Sequence, residues 1–284
     1  MSRHLVLGSS GLIGKAVCRH LFASGEEVLK WDVAAGPEYD LADPGNYKNL
    51  EEIMWRCDYV HYLASNVGGS KYLSSSQSEY DFIANNSLMM EFVFLALRST
   101  EKPFYFASSQ MATMFHSVYG RLKAVGEAYT KALGGNVVRF WNVYGWEPPS
   151  ERSHVIPDLV HQGLNDGRIL CQTSGSELRQ FMLDADAAVV LGRLSEQHKD
   201  FTDFEFVPVT SGRWISVREL ARTIGKILDV PVYFGDRGDD VQGARNEPPP
   251  MWSFTSLYAG TNAAGGYGRP LTEGLKEVIA KAKA

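Results

Sequence analysis

Leu5-Val6-Leu7-Gly8-Ser9-Ser10-Gly11-Leu12-Ile13-Gly14 is the stretch on which the fold turns. A short apolar run stops at a glycine-spaced turn, and behind it Leu12, Ile13, Ala16, Val17, Leu21 and Phe22 recur at helical spacing. The reading is buried strand, tight turn, helix. Gly8, Gly11 and Gly14 let the turn close and let backbone N–H groups approach a pyrophosphate at the positive end of the helix. Gly14 also lets helix and strand pack closely. Ser10, Leu12 and Ile13 complete the candidate cofactor loop. Its spacing is G-x-x-G-x-x-G rather than G-x-G-x-x-G. A second strand, Glu27 to Trp31, ends at Asp32, 18 residues beyond Gly14. An acid there hydrogen-bonds the adenine-ribose hydroxyls of a dinucleotide and repels a 2′-phosphate. Val33-Ala34-Ala35 brings no arginine to hold such a phosphate, so NAD is expected over NADP.

Outward from this unit the alternation continues. Asp58 to Ala64, Phe104 to Ala107 and Asn136 to Trp141 read as strands. Residues 79–99 and Tyr119 to Leu133 read as helices, the first burying Phe82, Leu88, Met89, Phe92, Val93, Leu95 and Ala96. Strands alternating with helices imply parallel crossovers, hence an α/β fold with a doubly wound parallel sheet of the Rossmann type over residues 1–145. After Gly145 the texture changes. Residues 146–284 read as a smaller α/β cap for the substrate, with helices at Ile156–Leu164, Asp184–Leu194, Ser216–Leu228 and Leu271–Ala284. The element near 184–194 is expected to return to the first domain. Gly235 to Gly268, rich in Gly, Pro, Asp and Asn, reads as loop rather than core.

Composition narrows the class of function. The 284 residues are 44% hydrophobic and 21% charged with a net charge of -5, enough for a sizeable core in one large or two moderate domains. No basic run exceeds two residues, which argues against nucleic acid or a membrane surface as partner. No apolar stretch approaches the roughly 18 residues of a membrane span. The start runs straight into the first strand, so no signal peptide is expected. Cys18, Cys57 and Cys171 are widely spaced, so a reducing cytoplasm is expected and a disulfide framework or cysteine zinc site is not. His154 and His161 lack a third ligand, so no metal site is expected.

Tyr119-Gly120-Arg121-Leu122-Lys123 places a phenol and an amine four apart on one helical face. An ammonium so placed favours phenolate and fits the tyrosine to take or supply a proton. Ser108 and Ser109 follow the strand that ends at Ala107, at the sheet's carboxyl edge, where ligands bind in open α/β sheets. Either hydroxyl can hold a substrate oxygen beside Tyr119.

Together with Leu63-Ala64, Asn85-Asn86 and Arg139-Phe140-Trp141-Asn142-Val143-Tyr144-Gly145, these residues resemble the extended short-chain dehydrogenase/reductases, in their NAD-dependent epimerase/dehydratase branch acting on nucleotide sugars. The resemblance spans nearly the whole chain. It implies that Asp40-Leu41 contacts adenine, that Leu63, Ala64, Ser65 and Val143 border the cofactor, that Asn85 steadies its site, and that Lys123 also binds the nicotinamide ribose. Asn142 and Arg179 match positions that bind a nucleotide diphosphate. Asn66-Val67-Gly68-Gly69 and Ser153-His154-Val155-Ile156-Pro157 are most similar to GDP-L-fucose synthase and GDP-mannose 3,5-epimerase, which makes His154 a candidate acid/base. Gln110 and Met111 stand where those epimerases carry a cysteine and where 4,6-dehydratases carry an acid. The implied activity is transient oxidation of a sugar hydroxyl, inversion, and return of the hydride by a homodimeric enzyme. An NADPH-dependent keto-sugar reductase, a dehydratase and a non-enzymatic dinucleotide sensor are the alternatives.

Overall fold

Leu5, Val6 and Leu7 are fully buried in β1 (Arg3–Leu7), the second strand of a six-stranded sheet. The computed structural model describes residues 1–237, 247–249, 251–258 and 266–284. In it β1 pairs in parallel with β2 (Glu27–Trp31) on one side and β3 (Tyr59–Tyr62) on the other, with α1 (Leu12–Ala23) and α2 (Tyr47–Trp55) as crossovers. α3 (Ser70–Ser76) and α4 (Tyr80–Thr100) lead to β4 (Phe104–Ser109), and α5 (Val118–Ala132) to β5 (Asn136–Phe140). The expected doubly wound parallel sheet is present, in the order β2-β1-β3-β4-β5.

The alternation of strand side chains sorts the core onto two faces. Leu5, Leu7, Val60, Tyr62, Phe104 and Phe106 face α2 and α4, whereas Val6, Tyr59, Tyr105 and Val138 face α1. Not every residue of the helical spacing is inside. Phe22 on α1 and Leu88 and Leu95 on α4 are exposed, and α4 buries Met90, Phe94 and Leu97 instead. A helix of 21 residues whose apolar side chains spread over more than one face leaves its buried stripe undecided until its neighbours are known.

Beyond β6 (Asn142–Tyr144), α6 (Val155–Asn165) and β7 (Ile169–Thr173), the chain builds a second core. β8 (Leu178–Leu183) pairs with β6 and with β10 (Trp214–Ser216), and β7 pairs with β11 (Val232–Arg237). Ile156, Val160, Ile169, Leu220 and Ile224 fill this core between α6 and α8 (Val217–Leu228), and Leu275, Val278 and Ile279 of α9 (Leu271–Lys283) close it. Between β8 and β10 the chain crosses back. α7 (Asp184–Glu196) packs along α1, and β9 (Val207–Val209) adds the sixth parallel strand beside β5.

The stretch Gly235 to Gly268 departs from its reading as plain loop. Residues 235–237 close β11, and a short helical turn at Met251–Phe254 delivers Phe254, Leu257 and Tyr258 into the core beside β9 and α7. Three apolar side chains amid turn formers are enough to anchor a segment whose composition otherwise reads as solvent-facing. Residues 238–246, 250 and 259–265 of that stretch lie outside the described residues.

Candidate active site

The glycine loop is built by close approach. Gly8 has φ +86°, and a Cβ there would stand 2.7 Å from Ala64 N. A Cβ on Gly14 would stand 2.0 Å from Gly8 O, so the helix rests directly on the turn. Gly11, the N-cap of α1, meets only Gly8 O at 3.4 Å and is exposed. The outer face of the loop is thus bare backbone at a helix N-terminus, a cradle that suits a pyrophosphate. Asp32 sits at its rim and accepts from Ser10 N at 2.8 Å and Ala34 N at 2.9 Å. These residues fit an adenine dinucleotide: loop glycines and Ser10 under the phosphates, Asp32 toward the ribose. Leu12 touches the space beside Gly145, which joins the loop to the strand that carries Asn142 and Val143. Downstream, the Asp40 carboxylate accepts from Ala42 N, and Leu41 is buried in the core with Trp31.

At the carboxyl edge of β3, Leu63, Ala64 and Ser65 continue over the loop, with Leu63 N bonded to Leu7 O. The residue that steadies them is Asn86, not Asn85. Buried Asn86 accepts from Asn66 N and Ser65 Oγ and donates to Asn66 O and Phe82 O, at 2.9 to 3.1 Å. Adjacent helical residues point about 100° apart, so only one of the pair can face the loop.

The two serines separate for the analogous reason in a strand, where successive side chains face opposite ways. Ser108 Oγ donates to Glu127 Oε1 at 2.5 Å, and Glu127 also takes Arg139 Nε and Nη2, each at 2.7 Å. Ser108 therefore belongs to a buried ion-pair network. Ser109 Oγ accepts from Met111 N and is hydrogen-bonded to the Tyr119 hydroxyl. Tyr119 and Lys123 of α5 then line one cleft with Tyr62, Ala64, Ser65 and Asn86. Gln77 Oε1 pins the start of α5 by accepting from Ser117 Oγ and Tyr119 N.

Lys123 does not address the phenol directly. Its Nζ donates to Ala107 O at 2.8 Å and stands 5.5 Å from the Tyr119 ring centre. Burial lowers Lys123 to about 7, against a smaller upward pull from Glu127. Burial also pushes Tyr119 well above the usual phenol range, more than its bond to Ser109 brings it down. The expectation that the lysine by itself favours phenolate is thus corrected. Desolvation dominates both groups, and the chain alone holds Tyr119 as the neutral phenol.

Two further walls face the same edge. Asn142 has its side-chain Oδ1 buried with no hydrogen-bond partner, an acceptor left open at the start of β6. Arg179 lies on β8, its Nη1 donating to Leu178 O at 2.7 Å, with burial depressing its guanidinium. Val143 is in the core. His154 stands at the N-cap of α6 with Nδ1 at 2.6 Å from Glu147 Oε1. Gly69 lets it approach: a Cβ there would meet Ser153 O at 2.2 Å and His154 Cα at 3.2 Å. Asn86 and Glu147 are functional candidates that the sequence reading missed. The first is adjacent to the residue chosen, and the second is a lone acid before two prolines.

A glycine cradle with an acid at its rim, beside a serine–tyrosine–lysine set, defines a dinucleotide-dependent enzyme of the short-chain dehydrogenase type. The family model for the NAD dependent epimerase/dehydratase family matches residues 4–205, and the chain belongs to that family, with NAD as its cofactor. It is 24% identical to a UDP-2-acetamido-2,6-beta-L-arabino-hexul-4-ose reductase of Pseudomonas aeruginosa, over 95% of this chain and 78% of that protein. It is 25% identical to a probable GDP-L-fucose synthase of Oryza sativa subsp. japonica, over 78% of this chain and 76% of the relative. The fold matches an epimerase from Methanothermobacter thermautotrophicus with a TM-score of 0.81 at 20% identity, covering 98% of this chain and 91% of that one. Among the described residues no helix is long and apolar enough to cross a membrane.

Proposed function

We propose that the chain is an NAD-dependent nucleotide-sugar epimerase that works through a transient keto-sugar. The observation that carries this reading is the Ser109–Tyr119 hydrogen bond with Lys123 one turn on, in a cleft walled by Ala64, Ser65 and Asn86 above the glycine loop. Held by the glycine loop and Asp32, NAD would supply an acceptor and later a donor of hydride, and its positive ring would favour the Tyr119 phenolate. Ser109 Oγ orients the sugar hydroxyl, and Tyr119 Oη takes its proton and gives it back when the alcohol re-forms. Lys123 holds the ribose beside them. Asn142 Oδ1 and the Arg179 guanidinium serve the nucleotide diphosphate, Arg179 through charge and Asn142 as an acceptor for a donor group. The ketone acidifies its neighbouring C–H groups, so inversion proceeds either by proton exchange there or by turning the keto-sugar before the hydride returns.

The test begins by identifying the dinucleotide that co-purifies. UDP-, GDP-, dTDP- and CDP-sugars are then screened in deuterium oxide. Conversion that Tyr119→Phe reduces about 10²-fold or more supports the reading. Equal turnover by that variant, or a purified chain that takes up no adenine dinucleotide, refutes it.

A second reading, a keto-sugar reductase, is favoured by the His154–Glu147 pair, which can deliver a proton without a second tyrosine. Net consumption of NADH or NADPH separates the two. A homodimer belongs to the same proposal. Leu88 and Leu95 on α4 and Val125 and Tyr129 on α5 leave apolar faces exposed side by side. Three buried free thiols accord with a cytoplasmic location.

A further inference from the structure

The N-cap of a helix is where a side chain ordinarily accepts from the free N–H groups of the first turn, a contact worth about 1 kcal/mol. His154 holds that place on α6 and makes no such bond. Its ring is turned the other way, to Glu147. One carboxylate oxygen, Oε1, accepts both the His154 backbone N–H at 2.8 Å and the ring Nδ1 at 2.6 Å. A serine or aspartate would serve the helix better. A local preference set aside with no gain to the helix is the mark of a working position.

The chemistry of the pair is directional. Burial pushes the Glu147 carboxyl up, but the bonds and charge from His154 outweigh it and hold the group below the ordinary carboxylate range. An ionised carboxylate only accepts, so Nδ1 is the donor of the pair, and in the neutral form of the ring the lone pair lies on Nε2. The charges around the pair are Lys15 of α1, which acts on Glu147, and Asp158 of α6, which interacts with both members of the pair and with Lys71 of α3. The segment that touches the pair also touches the cluster that holds Tyr119. Gly69 presses on His154, and the segment it opens contributes Val67 and Tyr72 to the apolar cluster against which Tyr119 packs.

We infer that Glu147 is the positioning residue of a carboxylate–imidazole dyad, in which His154 Nε2 moves a proton at the sugar carbon beside the ketone. The inference rests on the nucleotide-sugar reading above. In the step, Nε2 takes the proton of that C–H. The C–H electron pair becomes the C=C bond of an enolate, with the charge on the former ketone oxygen. The imidazolium then returns a proton to the carbon and the enolate reverts to ketone. No oxidant or reductant is consumed in it. In deuterium oxide the returned proton is a deuteron.

The experiment uses the full-length enzyme and Glu147→Ala, Glu147→Gln and His154→Gln. Ring ¹⁵N shifts of His154 are read without substrate. The wild type shows the Nδ1–H form, Glu147→Gln keeps it through the amide oxygen, and Glu147→Ala shows a mixture. Deuterium incorporation into the product is read with substrate. Glu147→Ala lowers its rate about 10²-fold with KM within about threefold, Glu147→Gln recovers part of the loss, and His154→Gln matches Glu147→Ala. An unchanged ring spectrum in Glu147→Ala overturns the dyad, and so does wild-type turnover without deuterium incorporation. If no nucleotide sugar is turned over at all while the ring spectrum responds as described, the substrate reading has failed and the geometric pairing stands.

Discussion

Removing the Glu127 carboxylate tests how the helix that carries Tyr119 and Lys123 is fixed to the sheet. Glu127 lies on α5 one turn beyond Lys123, and its side chain is 14% exposed against 10% for Arg139 on β5. It takes three hydrogen bonds, from Ser108 Oγ, Arg139 Nε and Arg139 Nη2. In Glu127→Ala the guanidinium stays inside with the Phe206 ring 4.0 Å away and one remaining carboxylate, Glu205, at 3.7 Å and 81% exposed. That contact is screened and contributes little. Breaking a buried pair from one side costs about 3–5 kcal/mol, because the partner is left charged and desolvated. For 284 residues the entropy of unfolding is on the order of 0.6 kcal/mol/K, so the lower figure corresponds to a fall of about 5 °C in Tm. The assay is urea and thermal unfolding of the wild type, Glu127→Ala, Arg139→Met and the double variant. The double variant should recover most of the loss, since an apolar replacement of both partners removes the stranded charge. A single variant within about 1 kcal/mol of the wild type would refute this reasoning, as would a double variant no better than Glu127→Ala.

Gly14→Ala should lose about 1–3 kcal/mol and most of its bound NAD, because the new Cβ meets backbone of Gly8 and Ser9 at 2.0 to 3.0 Å. Gly11→Ala, with only a 3.4 Å contact, should melt near the wild type; melting curves with NAD content after purification check both. Lys123 is held at about 7 in the fold against 10.5 for a free lysine, so the unfolded chain binds the extra proton between those values. Its burial therefore costs stability most fully below pH 7, and the cost is relieved as pH rises toward 10. Lys123→Met should be more stable than the wild type at pH 6, on the order of 5 kcal/mol, with the gap narrowing by pH 9.5. A gap that stays constant or widens in urea titrations counts against the assignment. Asp32→Ser should narrow the preference for NADH over NADPH by about tenfold or more in fluorescence titrations, by removing the charge that repels a 2′-phosphate; an unchanged ratio would mean that Asp32 does not face the ribose.

What the residues decide by themselves is local. A strand that stops at Gly8, a helix that starts at Gly11, an acid at the end of the next strand, and a phenol and amine one turn apart are each legible because backbone geometry makes near neighbours in sequence near neighbours in space. The crossover pattern follows in the same way, since parallel strands need a helix between them. Tertiary structure alone decides which of two adjacent candidates is placed at the site. Ser109 rather than Ser108 meets Tyr119, and Asn86 rather than Asn85 holds the loop. A one-residue step reverses a strand's side chain and rotates a helix's by about 100°, and the facing element fixes the phase. The same holds for the pairing of β9 with β5, for Phe254 and Leu257 in the core, and for the Glu147 carboxylate on His154. Burial, too, is a property of the whole fold. It carries Lys123 down and Tyr119 up, against what their spacing on one helix implies, because the cost of removing charge from water depends on everything packed around it.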